Sequence, residues 1–484
     1  MRLRTRSSLT GCIIFLFLFL VISCKKQSPQ QNLETLPAAQ GTPAELSIDF
    51  NHPSYLIPSD YLGLSFEMTA IADSNYFNVD NLSFVRLIQN LGTGIIRIGA
   101  NGVDVMHWSG QARKPSTTKY SIATTDMDRF SAFIHAVGWQ TIVGLNFGSD
   151  FNPVIAGNEA KYVARSLGDL LYSFEVGNEA DIYPTNGFRK SNYSVNDFNG
   201  EWEQYYYSVI SASPGSALTG PAFAYNRSWL SSFAKQENSR VKKLTIHFYQ
   251  AGPATDPSIN INTILAPKAD TAINVFARAV KSIAGGAGLQ YRISECNSIY
   301  DGGKNDVSNS FASALWAIDF MYLMAYQGCT GINFHGGNNG PYTPIGLSAG
   351  EFFAKPEYYA MLFFKNAAIG NLLPCKLNVS NENVSAYASQ TADGKLYVSI
   401  VNKEPATQVA VTVQTGTAAF HSVSLASLTA ASLTATEGIS FQGNTIQPDG
   451  GLSVSQVKQY SVVSSEVTIN VGAASAMLLV FSPS

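Results

Sequence analysis

Cysteine is scarce in this sequence, and its spacing offers no metal site. There are five cysteines in 484 residues, and two of them, Cys12 and Cys24, lie in an N-terminal export segment. The remaining three, Cys296, Cys329 and Cys375, cannot all pair with one another, and no Cys-x-x-Cys occurs. A disulfide framework and a zinc site are therefore not indicated. The six histidines are scattered without a His-Glu-x-x-His motif, so we expect neither a metal nor another cofactor.

Charge is also scarce. Only 13% of the residues are charged, the formal net charge is -3, and no basic run occurs after residue 43. Nucleic-acid binding depends on clustered positive charge, so a nucleic-acid partner is not expected.

A hydrophobic run long enough to span a bilayer is missing as well. The N-terminus carries three arginines and then ten apolar residues, Ile13 to Ile22, which cover only ~15 Å as a helix against a hydrocarbon core of ~30 Å. This pattern predicts a signal peptide over residues 1–23 and an exported protein.

The signal peptide ends in Val21-Ile22-Ser23-Cys24, which resembles the lipobox of bacterial lipoproteins. The resemblance implies a lipidated Cys24, a membrane partner through that lipid and a place in the bacterial cell envelope, with Lys25 favouring the outer membrane. Ordinary secretion is the alternative. Residues 24–43 are rich in Gln, Pro, Ala and Thr without a period, which predicts a flexible tether.

Short apolar runs then alternate with amphipathic stretches. Apolar residues recur with the spacing of a helix over residues 81–91, 126–137, 199–211 and 308–326. Eight strand candidates are predicted: Tyr61–Glu67, Gly94–Ala100, Thr141–Phe147, Tyr172–Gly177, Ser216–Gly220, Lys243–Tyr249, Leu289–Glu295 and Cys329–His335. Strict alternation over about 300 residues predicts an α/β fold, a (β/α)₈ TIM barrel over 44–368. No Gly-rich phosphate turn follows the first strand, which argues against a doubly wound sheet.

The composition and the pattern of apolar residues change after Phe364. Residues 369–484 are rich in Val, Thr, Ser and Ala, alternate over Val409–Val413, and contain Asp393-Gly394 and Asp449-Gly450 turns. This pattern predicts a C-terminal all-β sandwich that packs on the barrel without a ligand of its own. Residues 44–52 alternate in the same way and are expected to add a strand to it.

Two of the predicted strands end on a carboxylate. The fourth runs into Gly177-Asn178-Glu179, and the seventh ends at Glu295. Residues at the carboxyl ends of barrel strands converge on one pocket, so Glu179 and Glu295 should face each other. Such a pair is typical of the catalytic residues of glycoside hydrolases. One carboxyl group protonates the leaving oxygen, while the other attacks the anomeric carbon or activates water.

Asn178-Glu179 and Glu295 resemble the acid/base and nucleophile motifs of the retaining (β/α)₈ glycosidase clan. Within it, 174–179 and 295–303 are similar to glycoside hydrolase family 79, the β-glucuronidases and heparanase. The resemblance implies Glu179 as acid/base, protonated at the start, and Glu295 as an ionised nucleophile, at a carboxyl separation of roughly 5 to 5.5 Å.

Three neighbours are expected to support this pair. Arg97 lies inside an apolar strand, where a charge needs a partner, and is a plausible cation to keep Glu295 ionised. Tyr249 is placed to donate a hydrogen bond to Glu295. Glu175 precedes Glu179 by four residues on the same strand face and is expected to be an internal partner of a buried cation.

The family resemblance also implies the sugar-binding residues. Tyr300, Gly302 and Tyr342 match positions that receive a uronic-acid carboxylate through phenol and backbone N–H donors. Glu67, Asn101 and Asn178 match positions that hold sugar hydroxyls. Asp301 departs from the pattern, since the family often has Gly there, and a carboxylate facing the pocket would repel a uronate.

The sequence thus predicts a retaining, exo-acting β-glucuronidase without a cofactor, acting on an oligo- or polysaccharide or a glucuronide conjugate. Two alternatives stay open. One is another clan enzyme, a β-xylosidase or a heparanase-like endo-β-glucuronidase. The other is a non-catalytic carbohydrate-binding lipoprotein, whose mark would be a missing glutamate.

Overall fold

The computed structural model describes residues 33–114, 118–336, 339–416, 419–453 and 457–483. The predicted signal peptide, the lipidation site Cys24 and the tether up to residue 32 lie outside the described residues. None of the helices that the structure describes has the length and apolar character needed to cross a bilayer.

The strands are β1 (Thr42–Ile48), β2 (Gly63–Glu67), β3 (Ile95–Gly99), β4 (His107–Trp108), β5 (Ser121–Ile122), β6 (Gln140–Leu145), β7 (Leu171–Val176), β8 (Leu218–Phe223), β9 (Val241–Ala251), β10 (Tyr291–Ile299), β11 (Ile332–His335), β12 (Ile345–Ser348), β13 (Glu351–Ala354), β14 (Asn371–Leu373), β15 (Cys375–Val379), β16 (Val384–Gln390), β17 (Leu396–Asn402), β18 (Val409–Gln414), β19 (Phe420–Thr429), β20 (Ser440–Phe441), β21 (Gln459–Ser461), β22 (Glu466–Val471) and β23 (Ser475–Pro483).

The helices are α1 (Thr69–Ala72), α2 (Leu82–Asn90), α3 (Ala100–Val103), α4 (Thr124–Val137), α5 (Pro153–Leu167), α6 (Tyr183–Asn186), α7 (Val195–Ala212), α8 (Arg227–Glu237), α9 (Ile261–Leu265), α10 (Pro267–Gly286), α11 (Phe311–Tyr326) and α12 (Pro356–Ala367).

Eight parallel strands close a barrel in the order β10-β11-β2-β3-β6-β7-β8-β9. All eight are the predicted segments, so the predicted TIM barrel is confirmed. Strands β3, β8, β10 and β11 are buried along their whole length, because the barrel interior covers one face and the helical ring covers the other.

Local sequence signals set where several ring helices begin. The side chains of Asn152, Ser194 and Asn226 each accept a backbone N–H of the first turn of α5, α7 and α8. These caps satisfy donors that a helix leaves without an internal partner, so each loop enters its helix at a defined residue.

The C-terminal region is a sandwich of two sheets. One has the order β15-β1-β18-β22, and the other has the order β14-β16-β17-β23-β19-β20, with β21 beside β19. Leu46 and Val411 from the first sheet share a buried core with Val398 and Leu479 from the second. The all-β sandwich predicted from the alternating pattern is therefore confirmed.

Part of the predicted tether, which was expected to reach residue 43, lies in β structure. Glu34 forms a bridge with Tyr460, and β1 begins at Thr42 and pairs with β15 and β18. The expectation of a flexible tether up to 43 is thus wrong for its last part. The Gln- and Pro-rich composition of this segment does not predict that it pairs with strands of the sandwich, because those strands lie hundreds of residues later in the sequence.

The second sheet packs on the helical ring at α11 and α12. Tyr322 of α11 stacks on Tyr387 with ring centroids 4.4 Å apart, and Lys403 pairs with the buried Asp319 of α11 at 2.6 Å. Both contacts bear on α11, the helix that connects β10 to β11, so the sandwich supports the part of the barrel that carries Glu295.

Candidate active site

The two glutamates predicted as a pair face each other at the carboxyl end of the barrel. They line a cavity of about 800 Å³ together with Glu67, Asn101 and Tyr249. One oxygen of Glu179, one nitrogen of His247 and one oxygen of Glu295 all lie within 4.8 Å of one another. That spacing matches retaining glycosidases, whose carboxyl groups lie ~5–5.5 Å apart, and not inverting ones at ~6.5–9.5 Å.

Glu179 is held on a strained backbone. It adopts the left-handed conformation at φ 55°, which is uncommon for a residue other than glycine. Its N–H donates to the carbonyl of Ala222 at 2.9 Å. Gly177 before it has φ 71°, and a Cβ there would lie 2.6 Å from the Tyr183 hydroxyl, so a side chain at 177 would displace the turn that presents Glu179.

The support for this turn is buried. Tyr183 donates its hydroxyl to Asp104 at 2.6 Å and accepts the N–H of Asn178 at 3.4 Å. Burial raises the pKa of Asp104 to about 7, although hydrogen bonds from Tyr183 and from backbone N–H groups act to lower that pKa.

Glu295 does not end its strand, which corrects the sequence-based expectation. Strand β10 continues to Ile299, and its register against β9 shifts between Ile293 and Glu295. A bulge of this kind adds one residue to a strand and reverses the side to which the following side chains point. The shift is what lets Arg292 and Glu295, three residues apart, both face the barrel interior.

Arg97 is the buried cation beneath the pair, as expected. Its guanidinium donates to Glu295 at 2.8 Å, to Glu175 at 2.6 Å and to the Asn178 side chain at 2.9 Å. Arg97 thus contacts Glu295, and Glu175 contacts Arg97, as these predicted roles require. Burial lowers the pKa of Arg97, but the charges of Glu175 and Glu295 and their hydrogen bonds outweigh burial and raise it, so the buried arginine stays charged because it is paired.

Several donors hold Glu295 in its charged form. Tyr249 donates to its second oxygen at 2.8 Å, as predicted. Burial raises the pKa of Glu295, but the charges of His335, His247 and Arg97, with the Tyr249 hydrogen bond, outweigh burial and lower that pKa to about 2. Glu295 is therefore a carboxylate throughout the neutral range, which is the state in which it can act as a nucleophile.

Two histidines belong to the site and were not predicted. His247 Nδ1 lies 2.8 Å from Glu179 and 4.0 Å from Glu295. His335 lies 3.7 Å from Glu67 and 4.0 Å from Glu295; burial lowers its pKa, but the charges of Glu295 and Glu67 outweigh burial and raise it. The signal for His247 was present, since it alternates with Tyr249 on the same face of β9.

The residues predicted to bind sugar line the same cavity or border it. Glu67 accepts the N–H of Gly102 at 2.6 Å, and the Asn178 side chain donates to Asn101 at 3.2 Å. Tyr300 is 41% exposed at the rim, whereas Tyr342 is buried.

The loop after β10 supplies the remaining predicted contact. Gly302 has φ 87° and approaches Gly340 so closely that a Cβ on Gly340 would lie 2.4 Å from the Gly302 carbonyl. Asp301, where the family often has Gly, also lines the cavity and has φ 65°, a backbone conformation that glycine adopts without strain.

Glu179, His247 and Glu295 form the one group of converging His, Cys, Asp or Glu side chains in the described part of the chain that has the spacing of a metal site. Each side chain already has a hydrogen-bond partner. His247 bonds to Glu179, and Glu295 accepts hydrogen bonds from Tyr249 and Arg97. The donors therefore form a hydrogen-bonded network suited to moving a proton and holding a charge.

One family model matches part of the chain. Residues 160–321 match the model described as "Glycosyl hydrolase family 79, N-terminal domain". This segment, about a third of the chain, is similar to glycoside hydrolase family 79. The matched range contains Glu179, His247, Tyr249 and Glu295, whereas Glu67, Arg97 and Tyr342 of the site lie outside it. Family members are glycoside hydrolases, and the two-glutamate double-displacement mechanism of the clan applies to this enzyme.

Curated relatives agree with the family. A β-glucuronidase of Aspergillus niger is 24% identical over 422 residues, which cover 77% of this enzyme and 75% of the relative. A heparanase-like protein 3 of Arabidopsis thaliana is 23% identical over 398 residues, covering 73% and 70%.

Solved structures agree with the fold. A 4-O-α-L-rhamnosyl-β-D-glucuronidase of Fusarium oxysporum 12S superposes with a TM-score of 0.74 at 19% identity, covering 92% of this enzyme and 99% of that chain. A family 51 arabinofuranosidase of Xanthomonas axonopodis pv. citri superposes with a TM-score of 0.69 at 16% identity, covering 91% and 100%.

Proposed function

We propose that this enzyme is a retaining, exo-acting β-glucuronidase that releases terminal β-linked glucuronic acid, with Glu179 as acid/base and Glu295 as nucleophile. The observation that carries the proposal is the unequal environment of two adjacent carboxyl groups. Arg97 and Tyr249 hold Glu295 as a carboxylate, while among the described residues Glu179 has a histidine partner and no arginine or lysine partner. Carboxyl groups with different surroundings can take different roles.

In the first step the Glu295 carboxylate attacks the anomeric carbon, and Glu179 gives its proton to the oxygen of the departing group. A covalent glycosyl-enzyme forms and the aglycone leaves as a neutral alcohol. In the second step Glu179, now ionised, takes a proton from water, whose oxygen displaces Glu295. Two inversions at one carbon retain its configuration.

Uronate preference follows from the donors that line the other side of the cavity. Tyr300, Gly302 and Tyr342 offer phenol O–H and backbone N–H groups, and no lysine or arginine occurs among the described lining residues. Neutral donors of this kind bind a carboxylate by charge-assisted hydrogen bonds. The curated relatives named β-glucuronidase support the same substrate.

The test compares a chromogenic β-glucuronide with the matching β-xyloside, which lacks the carboxylate. We expect kcat/KM for the glucuronide to be higher on the order of 100-fold or more, because a site built to bind a polar group rejects an analogue without it. Hydrolysis of the xyloside alone would show that the uronate assignment is wrong.

The mode of action is measured on a glucuronide oligosaccharide labelled at its reducing end. Stepwise loss of single terminal residues is expected. Internal fragments would favour the heparanase-like endo-enzyme, and turnover of no glycoside would favour the non-catalytic alternative.

We also propose that the enzyme works in a bacterial cell envelope, attached through a lipid on Cys24. The support is the lipobox-like Val21–Cys24 and the short apolar run before it. The wild-type protein should partition with the membrane and a Cys24→Ser variant should not. Equal partitioning of both would contradict the anchor.

A further inference from the structure

The donors assigned to the uronate come from two different loops. Tyr300 and Gly302 follow β10, whereas Tyr342 follows β11. The two loops are in direct contact, since a Cβ on Gly303 would lie 2.8 Å from the backbone nitrogen of Tyr342. Neither strand alone fixes the distance between these donors. Binding of one carboxylate by both loops therefore requires a part of the structure that holds the loops together.

Asn297 is a buried side chain that holds the second of these loops. It lies two residues after Glu295, is fully buried and is not among the described residues that line the cavity, so it does not touch the substrate. Its Nδ2 donates to the carbonyl of Tyr342 at 3.1 Å and to the carbonyl of His335 at 3.2 Å. Asn297 thus holds the backbone at both ends of the segment that leads from β11 to Tyr342.

The same side chain is joined to the loop after β10. Asn297 Oδ1 accepts the N–H of Ser298 at 2.7 Å, and the Ser298 hydroxyl donates to the Ser308 hydroxyl at 3.0 Å. Ser308 in turn accepts the N–H of Lys304 at 3.0 Å. Both serines are buried, and hydrogen bonds are stronger in surroundings of low dielectric constant. The loop after β10 is therefore tied to Asn297 as well.

Glu357 completes this buried group. It lies in the first turn of α12 and accepts a hydrogen bond from Asn297 Nδ2 at 3.1 Å. Burial raises the pKa of Glu357 well above its usual range, although the hydrogen bond from Asn297 and the charge of Lys355 act to lower that pKa. Glu357 is therefore a neutral acceptor at neutral pH. It orients the Asn297 amide without adding a negative charge behind the loops that bind an anion.

We propose that Asn297, oriented by Glu357, is a positioning residue that keeps the two uronate-binding loops at one spacing and so maintains the preference for a sugar that carries a carboxylate. It acts through Tyr342 and through the loop after β10. The inference rests on the proposed glucuronidase activity and names the buried side chains on which its substrate preference depends.

The first test is Asn297→Ala, measured on an aryl β-glucuronide and on the matching β-xyloside. Without the amide the two loops are no longer held at a fixed spacing, so kcat/KM for the glucuronide should fall on the order of 10- to 100-fold, mainly through a higher KM. The xyloside has no carboxylate to bind to these loops, so its kcat/KM should stay within about threefold of the wild type. The ratio of the two kcat/KM values should therefore fall, which a general loss of folded enzyme would not produce.

Glu357 supplies a matched pair of variants. Glu357→Gln keeps an oxygen that accepts from Asn297 and resembles the neutral carboxyl group in size, so the glucuronide-to-xyloside ratio should stay within about twofold of the wild type. Glu357→Leu is of comparable size but has no acceptor, so the ratio should fall at least about fivefold. If a thermal unfolding scan shows that Asn297→Ala does not fold, the two Glu357 variants make the same comparison.

An unchanged ratio in Asn297→Ala would overturn the inference, and so would equal ratios in Glu357→Gln and Glu357→Leu. Neither result bears on the proposed function, because that is measured on the wild type. A wild-type enzyme that cleaves only the xyloside would overturn the proposed function, and the role of Asn297 with it.

Discussion

Replacing Glu295 with alanine is expected to lower kcat/KM by at least ~10⁵-fold for every glucuronide, whatever its leaving group. Without the carboxylate no covalent intermediate forms, and this route carries most of the acceleration of ~10⁶-fold or more that is typical of enzymes. The measurement is kcat/KM for an activated aryl glucuronide and for glucuronyl fluoride.

Azide supplies the control for this variant. It is small enough to enter the space left by Glu295 and should restore turnover of the fluoride with an α-glucuronyl azide as product, since only one inversion occurs. Tyr249→Phe gives a graded comparison, because it keeps the nucleophile and removes one group that lowers its pKa. The pKa of Glu295 then rises, and the acid limb of the kcat/KM profile moves to higher pH. A Glu295→Ala enzyme within tenfold of wild type would show that the nucleophile lies elsewhere.

The second large effect is expected at Glu179, and it depends on the leaving group. Glu179→Ala should lower kcat/KM for a glucuronyl disaccharide by about 10²–10⁴-fold, the usual contribution of a positioned general acid. The loss should be far smaller for glucuronyl fluoride, because fluoride leaves without a full proton transfer. Measuring both substrates on one preparation separates this effect from a folding defect.

Azide distinguishes the two glutamates. In Glu179→Ala it should replace water in the second step and give the β-glucuronyl azide, because both inversions still occur. The α-azide from this variant would mean that the two roles are exchanged, and an equal loss on both substrates would mean that Glu179 does not donate the proton.

Much of this fold is predictable because barrel strands are buried on both faces. Segments such as 95–99 and 171–176 are mostly apolar, and the charged residues inside them, Arg97 and Glu175, form an ion pair with each other. The two catalytic candidates were found by the rule that parallel strands present their carboxyl ends to one pocket.

The rest depends on geometry that residue types do not encode. Strict alternation from Arg292 would turn Glu295 away from the barrel interior, and only the register shift after Ile293 turns it inward. His247 lies 68 residues from Glu179 along the chain, so their hydrogen bond follows from the barrel order, in which only β8 separates β7 from β9. The hydrogen bonds of Asn297 to the backbone of His335 and Tyr342 likewise depend on loops whose conformation is set by tertiary contacts.

The pairing of β1 has a consequence for the order in which the molecule can be completed. Gln40, just before this strand, bonds to Asn470, 430 residues later, and β1 itself pairs with β15 and β18. During synthesis β1 therefore has no partner strand until β15 and β18, which end at Val379 and Gln414, have been made. Closing so long a loop is entropically costly, and a barrel already folded in between brings the two ends together and shortens the search. The barrel thus also serves as the scaffold on which Gln40 and Asn470 meet.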